Sequence, residues 1–181
     1  MMVLDEASAL IDEARHGSDP AFEALIRPLL DQAHRLAYGM LRDLSAAEDI
    51  VQEATFKAWR RFWQFREGSS IRPWYLQIVA NECRSTLRSR WWGVLRVDQP
   101  PERADGAATE DAHVLAIDLE RALQRLNVDQ RLVICLYFYL DLPHEEIGRL
   151  LGVPAATVKT RVHRAVRSLR RQFDVPEEWL T

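Results

Sequence analysis

Glycine is scarce in this chain of 181 residues, which has only seven glycines. No run of alternating β-branched residues is followed by the turn signals of a β-hairpin, and this absence excludes a fold built on sheets. Hydrophobic residues make up 48% of the chain, which is enough to form folded cores and excludes a disordered protein. The sequence therefore predicts an all-α protein.

The sequence also lacks the patterns of several kinds of site. No Cys/His spacing suggests zinc and no glycine-rich loop suggests a nucleotide, so neither a metal nor a cofactor is expected. The five histidines share no motif, which makes an enzyme the least expected class. Cys83 and Cys135 lie far apart within helical patterns, which favours buried reduced thiols over one remote disulfide.

Long apolar runs are absent as well. The longest is far shorter than a membrane span, and the acidic N-terminus lacks the charge pattern of a signal peptide. We therefore expect a cytoplasmic protein with no membrane insertion of its own.

The helical pattern breaks between Gly93 and about His113. Within it, residues 97–113 contain Pro-Pro, a glycine and five Asp/Glu against one Arg. It predicts a flexible acidic linker over residues 93–113 that joins two small helical domains, residues 1–92 and 114–181.

Capping signals predict where the helices of the first domain begin and end. A first helix covers Asp5 to His16, and a second runs to about Leu41 with a kink or break at Pro28. The expected helix starts are Asp19 as an N-cap, Ser45 in a capping box with Glu48, and Pro73.

The helix from Ser45 to about Gln64 has two contrasting faces. Its predicted core face consists of Ala47, Val51, Ala54, Ala58 and Phe62. The opposite stripe consists of Asp49, Gln52, Glu53, Phe56 and Arg60, with Trp59 and Trp63 along one margin. Large aromatics on a polar stripe are typical of a protein-binding surface. The alternative is that Phe56 and Trp59 pack against a neighbouring helix.

The next stretch combines a polar loop, FREGSS at Phe65–Ser70, with an arginine-rich helix. The side of that helix expected to face the protein core carries Trp74, Ile78 and Leu87. The other side carries Asn81, Arg84 and Arg88. Arginines interleaved with aromatics beside a polar loop are typical of a platform for single-stranded nucleic acid. The alternative is that the tryptophans are ordinary core residues.

In the second domain a helix is predicted from about Val114 to Leu126, with an apolar stripe that includes Leu119, Ala122 and Leu126. A capping arrangement over Asn127–Gln130 then opens another helix.

The final stretch, Leu142 to Arg171, is typical of two helices joined by a tight turn at Gly152-Val153. Pro154 is expected at the first position of the second helix. The predicted buried side of that helix consists of Val158, Val162, Ala165, Val166 and Leu169. From Pro154 to Arg171 there are six Lys/Arg and no Asp/Glu, although the net charge of the protein is −3.

This arrangement predicts a DNA-binding helix-turn-helix. A basic exposed face without acid suits a polyanion, and the second helix of such a motif enters the major groove. The alternative is a solvated basic helix that closes a helical bundle.

Taken together, three motifs in order resemble an extracytoplasmic-function (ECF) sigma factor of the bacterial primary sigma factor family. They are AEDIVQEATFKAW at Ala47–Trp59, RPWYLQIVAN at Arg72–Asn81, and EEIGRLLGVPAATVKTRVHRAVRSLR at Glu145–Arg170. The likeness spans nearly the whole chain, and it implies a specificity subunit of RNA polymerase that recognises the −10 and −35 elements of promoters.

For the first domain, the resemblance implies binding to core RNA polymerase and to the −10 element. Four residues match the family's docking motif for the clamp of the largest polymerase subunit: Asp49, Gln52, Glu53 and Phe56. Arg60, which lies on the same stripe, is expected to bind with them. The residues expected to hold the non-template strand are Phe65, Arg66, Ser69, Ser70, Asn81, Arg84 and Arg88.

For the second domain, the resemblance implies binding to the −35 element. Bases would be reached by Thr157, Lys159, Thr160, His163 and Arg164, and phosphates by Arg161 and Arg167. Because many members of the family are bound by an anti-sigma factor, we expect one as a partner here, in addition to core polymerase and promoter DNA. The rival interpretation is a free-standing helix-turn-helix transcriptional regulator.

Four positions depart from the family pattern: Ala80, Pro143, Gly148 and Ala156. Pro143 replaces the serine that usually caps the first helix of the motif, so Asp141 or the backbone must take over the capping. Gly148 replaces a common alanine, a small-for-small change that we expect to be tolerated.

Overall fold

The structure is a computed structural model that describes residues 2–66, 68–94, 119 and 121–171. The chain divides into two compact units, one ending at Arg96 and the other beginning at Val97. The described residues form helices and turns without any strand, which confirms the predicted all-α class. The predicted acidic linker lies outside the described residues except at its start, where Gly93 and Val94 are still helical.

The first unit consists of helices and two short 3₁₀ turns. The helices are α1 (Met2–Arg15), α2 (Asp19–Ile26), α3 (Leu30–Leu41), α4 (Leu44–Arg61) and α5 (Ile71–Val94). One 3₁₀ turn, Arg27–Leu29, separates α2 from α3, and the other, Phe62–Gln64, follows α4. The first turn contains Pro28, which confirms the predicted break at this proline.

The predicted helix starts of this unit are wrong by one to three residues, and α1 begins at Met2 rather than at Asp5. The N-cap of α2 is Ser18 rather than Asp19, and its side chain accepts a hydrogen bond from the Ala21 N–H. The N-cap of α4 is Asp43, whose carboxylate accepts from the Ala46 N–H at 2.9 Å. An extended Asp43 (φ −147°, ψ 115°) can accept that bond, whereas Ser45 already lies in the first turn. Similarly, α5 begins at Ile71, two residues before Pro73.

The core of the first unit contains the whole predicted face of α4, from Ala47 to Phe62. The predicted core side of α5 is covered only in part: Trp74, Ile78 and Leu87 are half-buried, and the Trp74 ring packs edge to face on the buried Phe62 and Phe65. Since α5 packs against both α3 and α4, two neighbours decide which of its sides is covered. The buried residues of α5 include Pro73, Tyr75, Leu76, Val79, Ala80 and Cys83.

Two polar contacts join α4 to α5. The hydroxyls of Thr55 and Tyr75 are 2.7 Å apart, and burial of the Tyr75 phenol raises its pKa. Lys57 donates to Glu82 across the helix pair at 2.7 Å and lies 3.1 Å from Glu53 on its own helix. The hydrogen bond to Glu82 is the main reason why the pKa of Lys57 is raised.

The second unit contains a helical segment over residues 121–125, then α6 (Val128–Ile134), α7 (His144–Leu151) and α8 (Ala155–Arg170). The predicted capping arrangement at the start of α6 is confirmed, with reciprocal bonds between Asn127 and Gln130. A π-helical turn, Cys135–Tyr139, extends α6.

The predicted apolar stripe before α6 is only partly buried. Ala122 and Leu126 are in the core, whereas Leu119 is 44% exposed. The core on this side is closed by Arg131, a buried arginine that donates to the backbone carbonyls of Leu123 and Gln124. These bonds satisfy carbonyls at the end of the helical segment.

Both cysteines are buried free thiols, Cys83 in the first unit and Cys135 in the second, as the sequence predicts. Among the described residues, no helix is both long enough and apolar enough to cross a membrane.

Candidate functional site

The turn between α7 and α8 depends on two glycines. Gly152 caps α7 in the left-handed region (φ +67°), and the Gly148 carbonyl accepts from the N–H groups of Gly152 and Val153. A Cβ added at Gly148 would lie 2.7 Å from the Val153 carbonyl oxygen. Gly148 therefore permits a close approach of two backbone segments, and the structure accommodates glycine at this position without crowding.

The first helix of the motif begins without a side-chain cap. Pro143 occupies the N-cap position, and its carbonyl accepts from the N–H groups of Glu146 and Ile147. Asp141 adopts a left-handed conformation (φ 51°) two residues earlier. We expected either Asp141 or the backbone to replace a capping serine, and in this structure it is the backbone.

The second helix, α8, begins at Ala155, so Pro154 is its N-cap and not its first residue. Val158, Val162 and Ala165 are buried, whereas Val166 and Leu169 are only half-buried. The burial of the first three fixes the orientation of the helix in its unit and therefore fixes which side faces solvent.

The predicted DNA-contacting residues lie on the solvent side of α8 or at its edges. Lys159, Thr160, His163, Arg164 and Arg167 are exposed, and Thr157 and Arg161 are half-buried. The Thr160 hydroxyl donates to the Ala156 carbonyl at 3.1 Å. No acidic residue occurs between Pro154 and Arg171, so this face presents only positive charge. A rigid cationic helix of this kind can bind a polyanion in a groove.

In the first unit, the exposed stripe of α4 forms a second candidate surface. All five predicted residues, Asp49, Gln52, Glu53, Phe56 and Arg60, are exposed. Lys57 forms ion pairs with both Glu53 and Glu82. Asp49 is the acidic residue at the N-terminal end of the stripe.

The aromatic part of this stripe is solvent-accessible. Phe56 and Trp59 are 51% and 46% exposed, so neither ring is covered by a neighbouring helix, although the Trp59 indole contacts Asp19 of α2. Their rings are stacked with centroids 5.9 Å apart, and the Arg60 guanidinium lies 5.7 Å from the Phe56 ring centre. Trp63 is exposed as well. We call Phe56, Trp59 and Arg60 the aromatic cluster.

The polar loop after α4 is only partly as expected. Arg66, Ser69 and Ser70 are exposed, whereas Glu67 lies outside the described residues. Phe65 is 1% exposed and stacks on Phe62 at 5.4 Å. The expected contact of its ring with a DNA strand is therefore wrong for this structure, because the loop is held in place by burying its first side chain.

The arginine-bearing side of α5 faces solvent in part. Asn81 and Arg88 are exposed and Arg84 is half-buried. The Arg88 Nε donates to the Arg84 carbonyl at 3.3 Å, so the two arginines occupy successive turns of one helix.

Two features were missed at the level of sequence. The indole N–H of Trp59 donates to the Asp19 carboxylate at 2.8 Å, a contact across 40 residues that no local pattern signals. In the second unit, Phe138 and Tyr139 are exposed on the π-helical turn, beside Tyr137, whose ring stacks on His144. Three successive aromatics at the end of a helical pattern were a signal for this second patch.

Known proteins match the chain in both units. The profile of Sigma-70 region 2 matches residues 25–93, and that of Sigma-70 region 4 matches residues 116–169. The chain is 30% identical to the ECF RNA polymerase sigma factor SigW of Bacillus subtilis, over 90% of this chain and 94% of that protein. It is 34% identical to SigM of Mycobacterium tuberculosis, over 86% of this chain and 78% of the relative.

Similarity to SigE of Mycolicibacterium smegmatis, at 31% identity, covers 83% of this chain but only 61% of that longer protein. Among solved structures, CnrH in complex with the cytosolic domain of CnrY shares the fold, with a TM-score of 0.70 and 21% identity over 93% of this chain and 97% of that one. The sigma factor RpoE of Bartonella quintana, solved with the anti-sigma factor NepR, has a TM-score of 0.63 and 26% identity over 85% and 97% of the two chains.

Proposed function

The chain belongs to the ECF sigma factors of bacterial RNA polymerase, and from that membership we propose how its two units divide the work of promoter recognition. The observation that carries the proposal is that the two matched regions fall in separate compact units, in order, and that each unit presents an exposed stripe of the required chemistry. The chain directs promoter-specific initiation of transcription, and core polymerase supplies the catalysis.

The second unit reads the −35 element. In this proposal, the first part of α8 enters the major groove, where Thr157, Lys159, Thr160, His163 and Arg164 reach base edges. Arg161 and Arg167 contact phosphates and set the register of the helix on the duplex. The exposure of Arg164 and Arg167, on a helix whose opposite side is buried, supports this assignment.

The first unit binds core polymerase and the −10 element. The stripe of α4, from Asp49 to Arg60, docks on the clamp of the largest polymerase subunit. Arg66, Ser69 and Ser70 in the loop and Asn81, Arg84 and Arg88 on α5 hold the displaced strand. A flipped base can be accepted only by the exposed part of the loop, since Phe65 is buried.

An anti-sigma factor is the proposed regulator of the chain. The structure of the relative RpoE with the anti-sigma factor NepR supports this assignment. The exposed Phe56, Trp59 and Trp63 provide apolar area that a regulator can cover to block docking.

We further propose that the chain is an initiation factor without catalytic activity of its own and that it works in the cytoplasm. The location follows from its partner, because a polymerase subunit acts where the chromosome is. Within the described residues, no group of three or more His, Cys, Asp and Glu side chains could hold a metal ion.

Transcription in vitro tests the proposal. Core polymerase is incubated with a pool of genomic fragments, with and without the protein, and the 5′ ends of the transcripts are mapped. We expect new start sites that are preceded by a shared pair of elements. If no start site depends on the protein and it binds DNA tightly without polymerase, the free-standing helix-turn-helix regulator replaces this proposal.

A further inference from the structure

A hydrogen bond links the start of α2 to the exposed stripe of α4. The indole Nε1 of Trp59 donates to the Asp19 carboxylate at 2.8 Å. Trp59 in turn stacks on Phe56, and the Arg60 guanidinium lies over the other ring of that pair. The carboxylate of Asp19 is therefore the fixed end of a chain of contacts that runs through the whole aromatic cluster.

Asp19 is held in place by the core. Three residues after it, Phe22 is buried and meets Phe62 edge to face at 5.4 Å, and Phe62 lies three residues after Trp59. Residues three apart on a helix lie on nearly the same side. The buried pair Phe22–Phe62 therefore lies about one helical turn from the hydrogen bond between Asp19 and Trp59, and it holds the same two chain segments together. Pro20 follows Asp19 directly and restricts the backbone there.

The surface that results is ordered before any partner arrives. An exposed tryptophan has several staggered rotamers, and a partner must select one of them at an entropic cost. A hydrogen bond from its indole N–H and a ring stacked on its face restrict that choice. Pre-ordered aromatic side chains bind with less loss of conformational freedom than mobile ones.

We propose that Asp19 is a positioning residue for the docking of core polymerase. It holds the Trp59 indole, and through it the Phe56 ring, in the orientation that the polymerase binds, without touching the polymerase itself. This inference rests on the proposed function, since it takes the α4 stripe as the docking surface. It adds α2, a helix outside the matched docking motif, to the determinants of affinity for core polymerase.

Equilibrium binding of full-length variants to purified core polymerase tests the inference. Asp19→Ala removes the acceptor and should weaken binding about three- to tenfold. Trp59→Phe keeps a ring but removes the N–H and should weaken binding by a similar factor. The double variant should bind no more weakly than either single variant, because both remove the same hydrogen bond. Asp19→Asn retains an acceptor oxygen and should restore most of the affinity.

Asp31→Ala is the matched control, because Asp31 is an exposed aspartate in the first turn of α3 and its loss removes the same charge. We expect its affinity for core polymerase to equal that of the unmodified protein. Equal weakening by Asp19→Ala and Asp31→Ala would overturn the inference, since net charge would then explain the effect. Additive losses in the double variant would also overturn it, because Asp19 would then act independently of Trp59.

Phe56→Ala separates failure of this inference from failure of the proposed function. If the stripe is the docking surface, this variant should bind core polymerase about 30-fold more weakly or worse. An unchanged affinity of Phe56→Ala would overturn the docking surface itself and the inference with it. A large loss in Phe56→Ala with no loss in Asp19→Ala would overturn the inference alone. Circular dichroism at the assay temperature establishes that each variant is folded, so that lost stability does not mimic lost affinity.

Discussion

At the scale of single residues, the most informative side chain of the proposed −35 contact is Arg164. It is exposed on α8, two residues after the buried Val162 and one before the buried Ala165, so its direction is fixed by the core. An arginine in this position can form a bidentate pair with guanine in the major groove. It can also hold a phosphate, and the two roles predict different results.

We expect Arg164→Ala to cost about 1–3 kcal/mol in binding to the correct −35 element, because a bidentate base contact is lost. The measurement is the affinity of the polymerase holoenzyme for promoter duplexes that carry the correct or a substituted −35 element. Arg125→Ala, which removes an exposed arginine of the same unit outside α8, should leave the discrimination unchanged. An equal loss on every −35 sequence would instead identify Arg164 as a phosphate contact.

Two aromatic residues of one short segment differ sharply in burial. Phe65 is 1% exposed and Trp63 is 65% exposed. We expect Phe65→Ala to lower the free energy of unfolding by about 3–5 kcal/mol, since it leaves a cavity against Phe62 and Trp74. Trp63→Ala should change it by less than about 0.5 kcal/mol. Urea unfolding followed by near-UV circular dichroism measures both, and a small effect of Phe65→Ala would show that this side chain is not part of the core.

At the scale of secondary-structure elements, the geometry of the helix-turn-helix depends on the close contact at Gly148. Its helix passes the chain at Val153 so closely that a Cβ would lie 2.7 Å from a backbone oxygen. A backbone atom cannot rotate away as a side chain can, so either the helix or the turn must shift. Such a shift would change the angle between α7 and α8, the helix that we propose binds DNA.

We therefore expect Gly148→Ala to destabilise the protein by about 1–2 kcal/mol, although alanine in an open helical position would stabilise it by up to about 1 kcal/mol. The measurement is the midpoint of urea unfolding, together with the affinity of the holoenzyme for a −35 duplex. A variant that is more stable than the unmodified protein and binds the duplex normally would contradict this prediction.

At the scale of the whole molecule, we expect that neither of the proposed DNA-binding surfaces binds DNA strongly alone. The basic face of α8 is small, and the chain carries a net charge of −3. Docking of both units on one polymerase makes the second DNA contact intramolecular, which raises its effective concentration. Promoter affinity should therefore depend on core polymerase far more than on either surface by itself.

We expect the free protein to bind a promoter duplex at least about 10²-fold more weakly than the holoenzyme does. Titration of a labelled promoter fragment with the protein alone, with core polymerase alone and with both measures this difference at a fixed salt concentration, because salt alone changes such affinities steeply. Tight binding by the free protein would favour the free-standing regulator.

The sequence by itself determined the helical class and much of the candidate surfaces. Helical periodicity is a local property, so the buried face of α4, the exposed stripe opposite to it and the charged side of α8 could all be derived from spacing. The capping box at Asn127 and the break at Pro28 were predictable for the same reason, because a cap or a proline acts within one turn of the chain.

Only the tertiary structure decided what depends on distant neighbours. Which side of α5 is buried is decided by two helices that pack on it, and Phe65 is a core residue because Phe62 and Trp74 enclose it. The crowding that a Cβ at position 148 would meet arises from a backbone segment that folds back over it. The hydrogen bond between Asp19 and Trp59 joins residues that are 40 apart in sequence. No local pattern predicts it, because the two residues are brought together by the packing of Phe22 on Phe62.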